Sequence, residues 1–248
     1  MIRALALLCA FLVAPSVALP QSKTPVKLKA GMVTGIDQVG LPIALERGLQ
    51  TMGLALSAGV CEQLFKYTEL LTKWNRTYNL TAVRDPLAMV SHHLLDSLAV
   101  LPHLSFAGAG ARLADIGTGA GLPGIPLALA RPHWHVALVE SNDKKAAFLQ
   151  QAKIELALSN VEIHSGRAEA WRPAERFAVV ISRAFAELAA FAAACKHLLA
   201  EGGVIAAMKG KDPREEIARL PTGFRCRVFA LQVPFVEGER HLVLCEQA

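Results

Sequence analysis

The ten residues from Asp115 to Gly124, Asp-Ile-Gly-Thr-Gly-Ala-Gly-Leu-Pro-Gly, are the most informative segment of this chain about its fold. Gly117, Gly119 and Gly121 stand at alternate positions, where the lack of a Cβ allows a tight turn and a close approach to a ligand. The stretch before this segment has the pattern of a strand, and the stretch after it has that of a helix. A glycine-rich loop between a strand and a helix places its ligand beyond the carboxyl ends of a parallel sheet.

Two ligand chemistries fit this loop. The spacing Gly119-x-Gly121-x-x-Gly124 matches the dinucleotide-binding pattern, in which a pyrophosphate meets a helix N-terminus. The spacing Asp-x-Gly-x-Gly-x-Gly is that of the loop that holds S-adenosylmethionine in many methyltransferases. Asp115 favours the second chemistry, because a carboxylate attracts the cationic methionine portion and repels a pyrophosphate. Glu140, at the end of the next predicted strand, suits ribose hydroxyls in either case.

Strands and helices alternate after residue 108, whereas the preceding part of the chain has helical periodicity. We predict helices within residues 41–104, with Ser57 as an N-cap and a helix that starts at Asp85-Pro86. Strands are predicted at 112–116, 136–140, 161–164, 177–182, 203–209, 226–233 and 241–246, and helices at 126–130, 144–158 and 186–199. This order predicts an α/β fold with a mostly parallel sheet over residues 108–248 and a helical N-terminal cap over residues 41–107.

The N-terminus resembles a secretion signal. Arg3 is followed by an apolar run over residues 4–14 and by Ser16-Val17-Ala18, a candidate cleavage site. The apolar run is too short to cross a bilayer, so no membrane anchor and no membrane partner are expected. Export competes with two alternatives: an extension without a function, and a true translation start at Met32.

Composition limits the classes of function. Residues 1–31 carry four basic and no acidic side chains, and the remaining 217 residues carry 22 basic and 21 acidic ones. A strongly basic nucleic-acid-binding protein is therefore not indicated, and a basic surface has to come from clustering. The five cysteines are scattered and form no Cys-x-x-Cys motif, so we expect free thiols and no metal site.

The glycine loop belongs to a longer set of motifs between residues 41 and 246. Beside residues 112–126, the set comprises Lys73-Trp74-Asn75, residues 78–86, His93-Leu94-Leu95-Asp96-Ser97, Ser182-Arg183-Ala184-Phe185, Lys209-Gly210 and Gly238-Glu239-Arg240-His241-Leu242-Val243. In their residues and in their order, these motifs resemble the small-subunit ribosomal RNA methyltransferase G family, which is also called the glucose-inhibited division protein B family.

The resemblance implies a fold, a reaction and a location. The fold is the Rossmann-like, seven-stranded sheet of a class I S-adenosylmethionine-dependent methyltransferase. The reaction is transfer of a methyl group from S-adenosylmethionine to N7 of a guanosine, position 527 in the 530 loop of bacterial 16S rRNA. The implied partner is this rRNA in the small ribosomal subunit or in an assembly intermediate. Residues 1–31 are surplus to the family, and an exported enzyme would meet neither ribosomes nor donor, so we expect a cytoplasmic location.

The resemblance also implies roles for single residues. The expected donor-binding residues are Asp115, Gly117, Gly119, Gly121, Leu122, Glu140, Ala168, Glu169 and Arg183. Among them, Ala168 and Glu169 would flank the adenine, and Arg183 would close the site. Glu140 stands where the family commonly has an aspartate, and its longer side chain still reaches a ribose.

Guanine N7 carries a lone pair in the plane of the ring and attacks without deprotonation, so a general base is not required. Alignment of the reactants and exclusion of water are the expected catalytic contributions. Arg183 and Lys209 are the candidate catalytic residues, and we expect them to bind phosphate or guanine O6. For Arg183, an ion pair with Glu169 or Glu140 is the structural alternative.

The candidate RNA-binding residues are Arg167, Lys209, Arg240 and His93. For His93, packing inside the protein is the favoured alternative. Trp74 and Tyr78 are aromatic residues that would suit stacking on bases, but their helical spacing favours core packing.

Two further functions stay open at this point. An NAD-dependent oxidoreductase would use the dinucleotide pattern of the glycine loop. A non-catalytic ribosome-binding module would keep the fold without turnover, although an intact donor loop argues against it.

Overall fold

A seven-stranded sheet forms the centre of the computed structural model, which describes residues 40–183, 185 and 187–247. Its strands are β1 (Arg112–Ile116), β2 (His135–Glu140), β3 (Val161–Ser165), β4 (Phe177–Ser182), β5 (Leu199–Lys209), β6 (Phe224–Ala230) and β7 (His241–Gln247). They lie in the order β3-β2-β1-β4-β5-β7-β6, parallel from β3 to β5, with β7 antiparallel to both of its neighbours. The order reverses between β1 and β4, and such a point opens a crevice for ligands at the carboxyl ends of the strands.

Helices cover both faces of this sheet. They are α5 (Gly124–Ala130), α6 (Asp143–Glu155), α7 (Leu188–Cys195) and the short α8 (Arg214–Ala218). Successive strand residues point to opposite faces, so Leu113 of β1 packs with α5 and α6, whereas Ala114 packs with α7. The sheet is therefore buried on both sides, which is the usual environment of parallel strands.

The cap that precedes β1 is entirely helical. Its helical elements are α1 (Gly40–Thr51), α2 (Ala58–Tyr78), α3 (Pro86–Met89), a π-helical turn (Val90–Leu95), α4 (Asp96–Leu98) and a 3₁₀-helical turn (Leu101–Leu104). The predicted N-cap is confirmed, because Ser57 Oγ accepts a hydrogen bond from the backbone N–H of Val60 at 3.4 Å. Buried residues of the cap share one hydrophobic core with α5, α6 and one face of the sheet.

The predicted α/β fold with a helical cap is confirmed, and the differences concern the ends of elements and one short helix. β5 begins at Leu199, four residues earlier than the sequence pattern predicts, because Leu199 pairs with Phe177 of β4. The helix α8 was not predicted, since five residues are too few to show a helical period. Pairing partners and very short helices are set by tertiary contacts that periodicity does not contain.

The prediction that all cysteines are free thiols is wrong for one pair. Cys226 of β6 and Cys245 of β7 form a disulfide, while Cys61 and Cys195 are free. The two bonded residues stand opposite each other in the antiparallel register, with their Cα atoms 4.1 Å apart. They are 19 residues apart in the sequence, so only the register of the hairpin reveals their proximity.

The signal-like segment over residues 1–31 and the candidate start at Met32 lie outside the described residues. Within the part of the chain that is described, none of the helices combines the length and the apolar character needed to cross a membrane.

The packing of α1 against the π-helical turn of the cap can be tested at Gly48. A Cβ at this position of α1 would overlap the fully buried side chain of Leu95 in the π-helical turn. We expect Gly48→Ala to lower the free energy of unfolding by about 1–3 kcal/mol, because overpacking outweighs the better helix propensity of alanine.

Gly59→Ala in α2 is the matched control, because no heavy atom in the described ranges lies within 4 Å of its added Cβ. We expect the control to change the free energy of unfolding by less than about 1 kcal/mol. Urea unfolding followed by circular dichroism measures both variants, and equal values for the two would contradict this packing.

Candidate functional site

The glycine loop after β1 has an open side. Gly117 and Gly119 adopt φ angles of 63° and 61°, in the left-handed region that favours glycine. A Cβ placed on Gly117 would have no neighbouring heavy atom of residues 40–183, 185 or 187–247 within 4 Å. For a Cβ placed on Gly119, the nearest such atom is the carbonyl oxygen of Gly117, at 4.0 Å. A ligand can therefore approach the backbone of these two residues closely.

The opposite side of the same loop is packed against the protein. A Cβ on Gly121 would overlap the Ile125 side chain, and one on Gly124 would lie 2.9 Å from Asp115 Oδ2. Gly121 also has a positive φ of 88°. These two glycines are thus required by packing, whereas Gly117 and Gly119 leave space for a ligand.

Asp115 lies beneath the loop. Its side chain is fully buried, and Oδ2 accepts hydrogen bonds from Thr118 Oγ1 at 2.6 Å and from the Gly124 N–H at 2.8 Å. Burial raises the pKa of Asp115 to about 6, and these two hydrogen bonds oppose the increase. Asp115 Oδ1 is buried without a partner among the described residues. This placement favours a role in shaping the loop over a direct contact with the donor.

Glu140 ends β2, the strand next to β1. Its Oε2 accepts the Gly119 N–H at 2.9 Å, and its Oε1 accepts the Asn142 N–H at 2.8 Å. The carboxylate is thus held at the open side of the loop, as the position after a parallel strand predicts.

Residues 167–170 follow β3 and lie beside Glu140, because the Gly166 N–H donates to the Glu140 carbonyl oxygen at 2.9 Å. Ala168 is buried, whereas Arg167 and Glu169 are exposed. The structure therefore brings Glu140, Ala168 and Glu169 to the same end of the sheet as the glycine loop, where the sequence predicted them. Leu122, also predicted, is buried in the loop itself.

Tyr67 connects the cap to the glycine loop, a contact that the sequence did not predict. Its buried hydroxyl donates to the Ala120 carbonyl oxygen at 2.8 Å. Burial raises the pKa of Tyr67, and the charge of Arg183 partly offsets this increase. The hydroxyl therefore stays protonated and remains a donor. No motif marks this residue, because its helical spacing is that of any core residue of α2.

Arg183 follows β4 and contacts the cap. Its Nη1 donates to the His92 carbonyl oxygen at 2.9 Å and to Asp96 Oδ2 at 3.3 Å. The second carboxylate oxygen, Asp96 Oδ1, accepts from Arg240 Nε at 3.2 Å. The structural alternative predicted an ion pair of Arg183 with Glu169 or Glu140. Arg183 does form an ion pair, but its partner is Asp96. We refer to Asp96, Arg183 and Arg240 as the Asp96 cluster.

The Asp96 cluster joins three distant parts of the chain at the carboxyl end of the sheet. Asp96 is buried, whereas the side chains of Arg183 and Arg240 are about a quarter exposed. A buried carboxylate that accepts from two guanidiniums fixes both of them by charge-assisted hydrogen bonds. Asp96 belongs to a family motif, but its sequence context predicts no role for it, since its partners are revealed only by the fold.

Lys209 lies at the end of β5 and is mostly buried. Its Nζ donates to Glu216 Oε2 at 2.7 Å and to the Phe185 carbonyl oxygen at 3.2 Å. The same Glu216 oxygen accepts the Leu188 N–H at 2.8 Å. Lys209 and Glu216 thus hold the segment that follows Arg183. This arrangement favours a positioning role for Lys209 over direct contact with a substrate.

His93 is buried inside the cap. Its Nε2 shares a hydrogen bond with Thr81 Oγ1 at 2.9 Å. Burial, followed by the charge of Arg183, lowers the pKa of His93 to about 4, so the imidazole is neutral at physiological pH. The structure therefore favours packing over RNA contact for this residue.

The residues that the structure describes contain no group of three or more His, Cys, Asp or Glu side chains arranged to hold a metal ion. The polar groups at the end of the sheet are carboxylates, backbone N–H groups and arginines. The carboxylates and backbone N–H groups suit an organic ligand with hydroxyl and cationic groups. The arginines suit an adjacent ligand that is anionic or that offers the hydrogen-bonding edge of a nucleic-acid base.

Solved structures place the fold in one class. An O-methyltransferase from Streptomyces achromogenes, involved in tomaymycin synthesis and solved in complex with S-adenosylmethionine, has a TM-score of 0.54 and 15% identity over 82% of this chain and 96% of its own. TrmN from Thermus thermophilus has a TM-score of 0.51 and 20% identity over 64% of this chain and 53% of its own. The fold is therefore that of a class I methyltransferase.

Sequence comparison identifies the family. Residues 60–243 match the model of rRNA small subunit methyltransferase G, GidB. Proteins named ribosomal RNA small subunit methyltransferase G from Nitrosospira multiformis and Aromatoleum aromaticum are 51% and 53% identical to this chain, each over 82% of it and over 96% and 97% of their own lengths. The chain belongs to this family, which confirms the resemblance and disfavours the oxidoreductase.

The Asp96 cluster is testable by removing its carboxylate. We expect Asp96→Ala to lower kcat/KM for methylation of small-subunit rRNA at least about tenfold, because both arginines lose the group that fixes them. Asp96→Asn should be intermediate, since its amide oxygen still accepts from one arginine. Donor affinity should stay within about twofold in both variants, because no donor-loop contact changes.

Methylation kinetics and calorimetric titration of the donor measure these effects. Arg112→Met is the control, because Arg112 pairs with Glu162 and Glu175 at the amino end of β1, away from the cluster. An Asp96→Ala enzyme with the wild-type kcat/KM would rule out this role.

The buried His93 predicts a pH effect on stability. The unfolded chain takes up a proton near pH 6.5 and the folded one only near pH 4, so stability falls as the pH decreases through this window. Between pH 7.5 and pH 5, we expect His93 to account for a loss of about 2 kcal/mol. His93→Gln should lack this loss.

The difference between His93→Gln and wild type isolates the effect, because Asp115 titrates in the opposite sense. Its folded pKa lies above the unfolded value, so its ionisation lowers stability as the pH rises. Urea unfolding at the two pH values measures the difference, with exposed His135→Gln as the control. A difference that does not depend on pH would refute the prediction.

Proposed function

We propose that this chain transfers the methyl group of S-adenosylmethionine to N7 of a guanosine in the 530 loop of 16S rRNA, within the small ribosomal subunit or an assembly intermediate. The observation that carries the proposal is the family match over residues 60–243, which includes the whole glycine loop and the Asp96 cluster. Because ribosomes and the donor are cytoplasmic, we place the activity there, despite the signal-like residues 1–31.

The residues at the end of β1 and β2 fit the donor. The open backbone of Gly117 and Gly119 accommodates a ligand that a Cβ would obstruct. We assign Glu140 to the ribose hydroxyls and residues 168–169 to the adenine, with Asp115 shaping the loop from below. The donor supplies a methyl group on a positively charged sulfur, which is open to attack by a nucleophile.

The protein's own residues are not required to remove a proton, because the N7 lone pair of guanine attacks directly. This agrees with the burial of Asp115 and His93, because a titratable group that is enclosed by the protein is not exposed to a substrate. The catalytic contribution of the protein is to align the base and to exclude water.

We assign Arg183 to the substrate side and not, as the resemblance implied, to the donor, because its Nη1 contacts are made with the cap. The product base is cationic, so an unneutralised guanidinium beside it would oppose the reaction. In the Asp96 cluster one carboxylate is shared by two arginines, which reduces the local positive charge. Nη1 of Arg183 makes both contacts with the cap, and we assign its remaining N–H groups to guanine O6 or a phosphate.

The remaining basic residues are assigned to a rim around this site. Arg240 is held by Asp96, and Arg167 is exposed beside the adenine side. Lys209 acts through the segment after β4, which it fixes at the Phe185 carbonyl. The rim supplies clustered positive charge in a chain whose overall charge beyond residue 31 is nearly neutral.

The test uses the full chain, S-adenosylmethionine and small ribosomal subunits from a bacterial strain that lacks this methylation. Borohydride–aniline treatment cleaves RNA at N7-methylguanosine, and primer extension maps the break. We expect a single stop in the 530 loop. Arg183→Ala should reduce the signal at least about tenfold while donor binding is retained, and Arg112→Ala should keep it.

Each outcome separates one part of the proposal from the rest. Methyl incorporation without a stop would exclude N7, and a stop elsewhere would exclude the 530 loop. If the protein binds the donor but methylates neither subunits, protein-free rRNA nor assembly intermediates, the proposed enzymatic activity is contradicted. The non-catalytic ribosome-binding module would then be the better explanation.

A further inference from the structure

Tyr67 is a core residue of α2 whose hydroxyl is not needed to fill the core. Its side chain is fully buried, and the ring of a phenylalanine would occupy nearly the same volume. Among the described residues, the hydroxyl makes one hydrogen bond: it donates to the Ala120 carbonyl oxygen at 2.8 Å, across 53 residues of sequence. The ring therefore contributes to the packing of the cap, whereas the hydroxyl acts on the glycine loop.

The oxygen that accepts this bond belongs to a peptide unit in the middle of the loop. The same planar unit contains the Gly121 N–H, which donates to the Thr118 carbonyl oxygen at 2.9 Å. In the part of the chain that the structure describes, Tyr67 is the only donor to the Ala120 carbonyl. Because Gly121 has no Cβ, the sterics of its own side chain do not fix the orientation of this unit. The two hydrogen bonds fix it instead.

The N–H of Ala120 differs from the neighbouring N–H groups of the loop. Within residues 117–122, the five other N–H groups donate to the carbonyl oxygens of Val139 or Thr118 or to the Glu140 carboxylate. For the Ala120 N–H, the described ranges supply no acceptor. Ala120 directly follows Gly119, which lies on the open side of the loop. This amide is therefore left for an acceptor group of a bound ligand, and S-adenosylmethionine offers such groups in its carboxylate and ribose oxygens.

Tyr67 also lies near charged groups of both parts of the proposed site. Burial raises the pKa of Tyr67 most strongly, the charge of Arg183 lowers it, and the charge of Asp115 raises it. The hydroxyl is thus within electrostatic reach of the carboxylate beneath the loop and of the arginine on the substrate side. At physiological pH it stays protonated, so the bond to Ala120 does not depend on pH.

We propose that Tyr67 is a positioning residue for the methyl donor: its hydroxyl holds the Ala120–Gly121 peptide unit, so that the loop keeps its donor-binding conformation in the absence of the donor. The inference rests on the donor-binding part of the proposed function and deepens it, because it makes a residue of the cap a determinant of donor affinity. A loop that has to be ordered during binding binds its ligand more weakly than a preformed one.

The first experiment removes the hydroxyl and keeps the ring. We expect Tyr67→Phe to raise the Kd for S-adenosylmethionine about tenfold in a calorimetric titration, or about 1.4 kcal/mol, as for the loss of one buried hydrogen bond. KM for the donor should rise by a similar factor. In contrast, kcat at saturating donor and KM for small subunits should stay within about twofold, because the bound donor restores the loop.

Thr68→Val is the matched control. Thr68 is the next residue of α2 and is also buried, and its hydroxyl donates to the Leu64 carbonyl oxygen at 3.0 Å within the helix. The control therefore loses a buried hydroxyl–carbonyl hydrogen bond but no contact with the loop, and we expect the wild-type Kd for the donor. Thermal unfolding of both variants checks that the fold is intact.

The second experiment needs no donor. Hydrogen exchange followed by NMR measures the protection of the Gly121 amide, whose N–H belongs to the peptide unit that Tyr67 holds. We expect this amide to exchange at least about fivefold faster in Tyr67→Phe than in wild type, because the unit is less restrained. In Thr68→Val, its exchange rate should stay at the wild-type value.

The outcomes separate this inference from the proposed reaction. If Tyr67→Phe keeps the wild-type donor Kd, or if Thr68→Val weakens donor binding equally, Tyr67 is only a core residue and the inference is overturned. An unchanged exchange rate of the Gly121 amide would also overturn it. If wild type binds the donor but methylates no RNA, the proposed reaction fails, whereas a tenfold weaker donor affinity of Tyr67→Phe would still support the positioning role.

Discussion

The carboxylate of Asp96 accepts hydrogen bonds from Arg183 and Arg240, which are 87 and 144 residues away in the chain. This interaction joins the helical cap, the residue after β4 and the residue before β7 at the carboxyl end of the parallel strands. Two guanidiniums would repel each other there without a shared anion. Both arginines are therefore held against the cap by the same buried charge, in addition to the hydrophobic core that the cap shares with α5, α6 and the sheet.

The glycine loop is restrained from two directions. From the sheet, Asp115 binds Thr118 and the Gly124 N–H, and Glu140 binds the Gly119 N–H. From the cap, Tyr67 binds the Ala120 carbonyl oxygen. The open side of Gly117 and Gly119 is thus a preformed surface, and a loop that is already ordered loses little conformational entropy when a donor binds.

Sequence patterns predicted the elements well and the partners poorly. Short, nearly continuous apolar runs and the strand-loop-helix order located β1 and β4 at their observed bounds, because burial on both faces of the sheet imposes such runs. The ion-pair partner of Arg183 and the Cys226–Cys245 disulfide were not predicted. Each of them joins residues that are close only after the sheet order, the hairpin register or the cap packing is set.

The fold class, the family and the position of the glycine loop follow from the amino-acid sequence, since local periodicity and motifs of adjacent residues are enough to assign them. Which side chains are available for a substrate depends on the folded arrangement. Lys209 and Glu216 are neighbours in space that fix the segment after β4, and Asp96 holds two arginines, so residues of similar charge acquire different roles. The reason is physical: the action of a charged group depends on its burial and its nearest counter-charge, and both are properties of the folded chain.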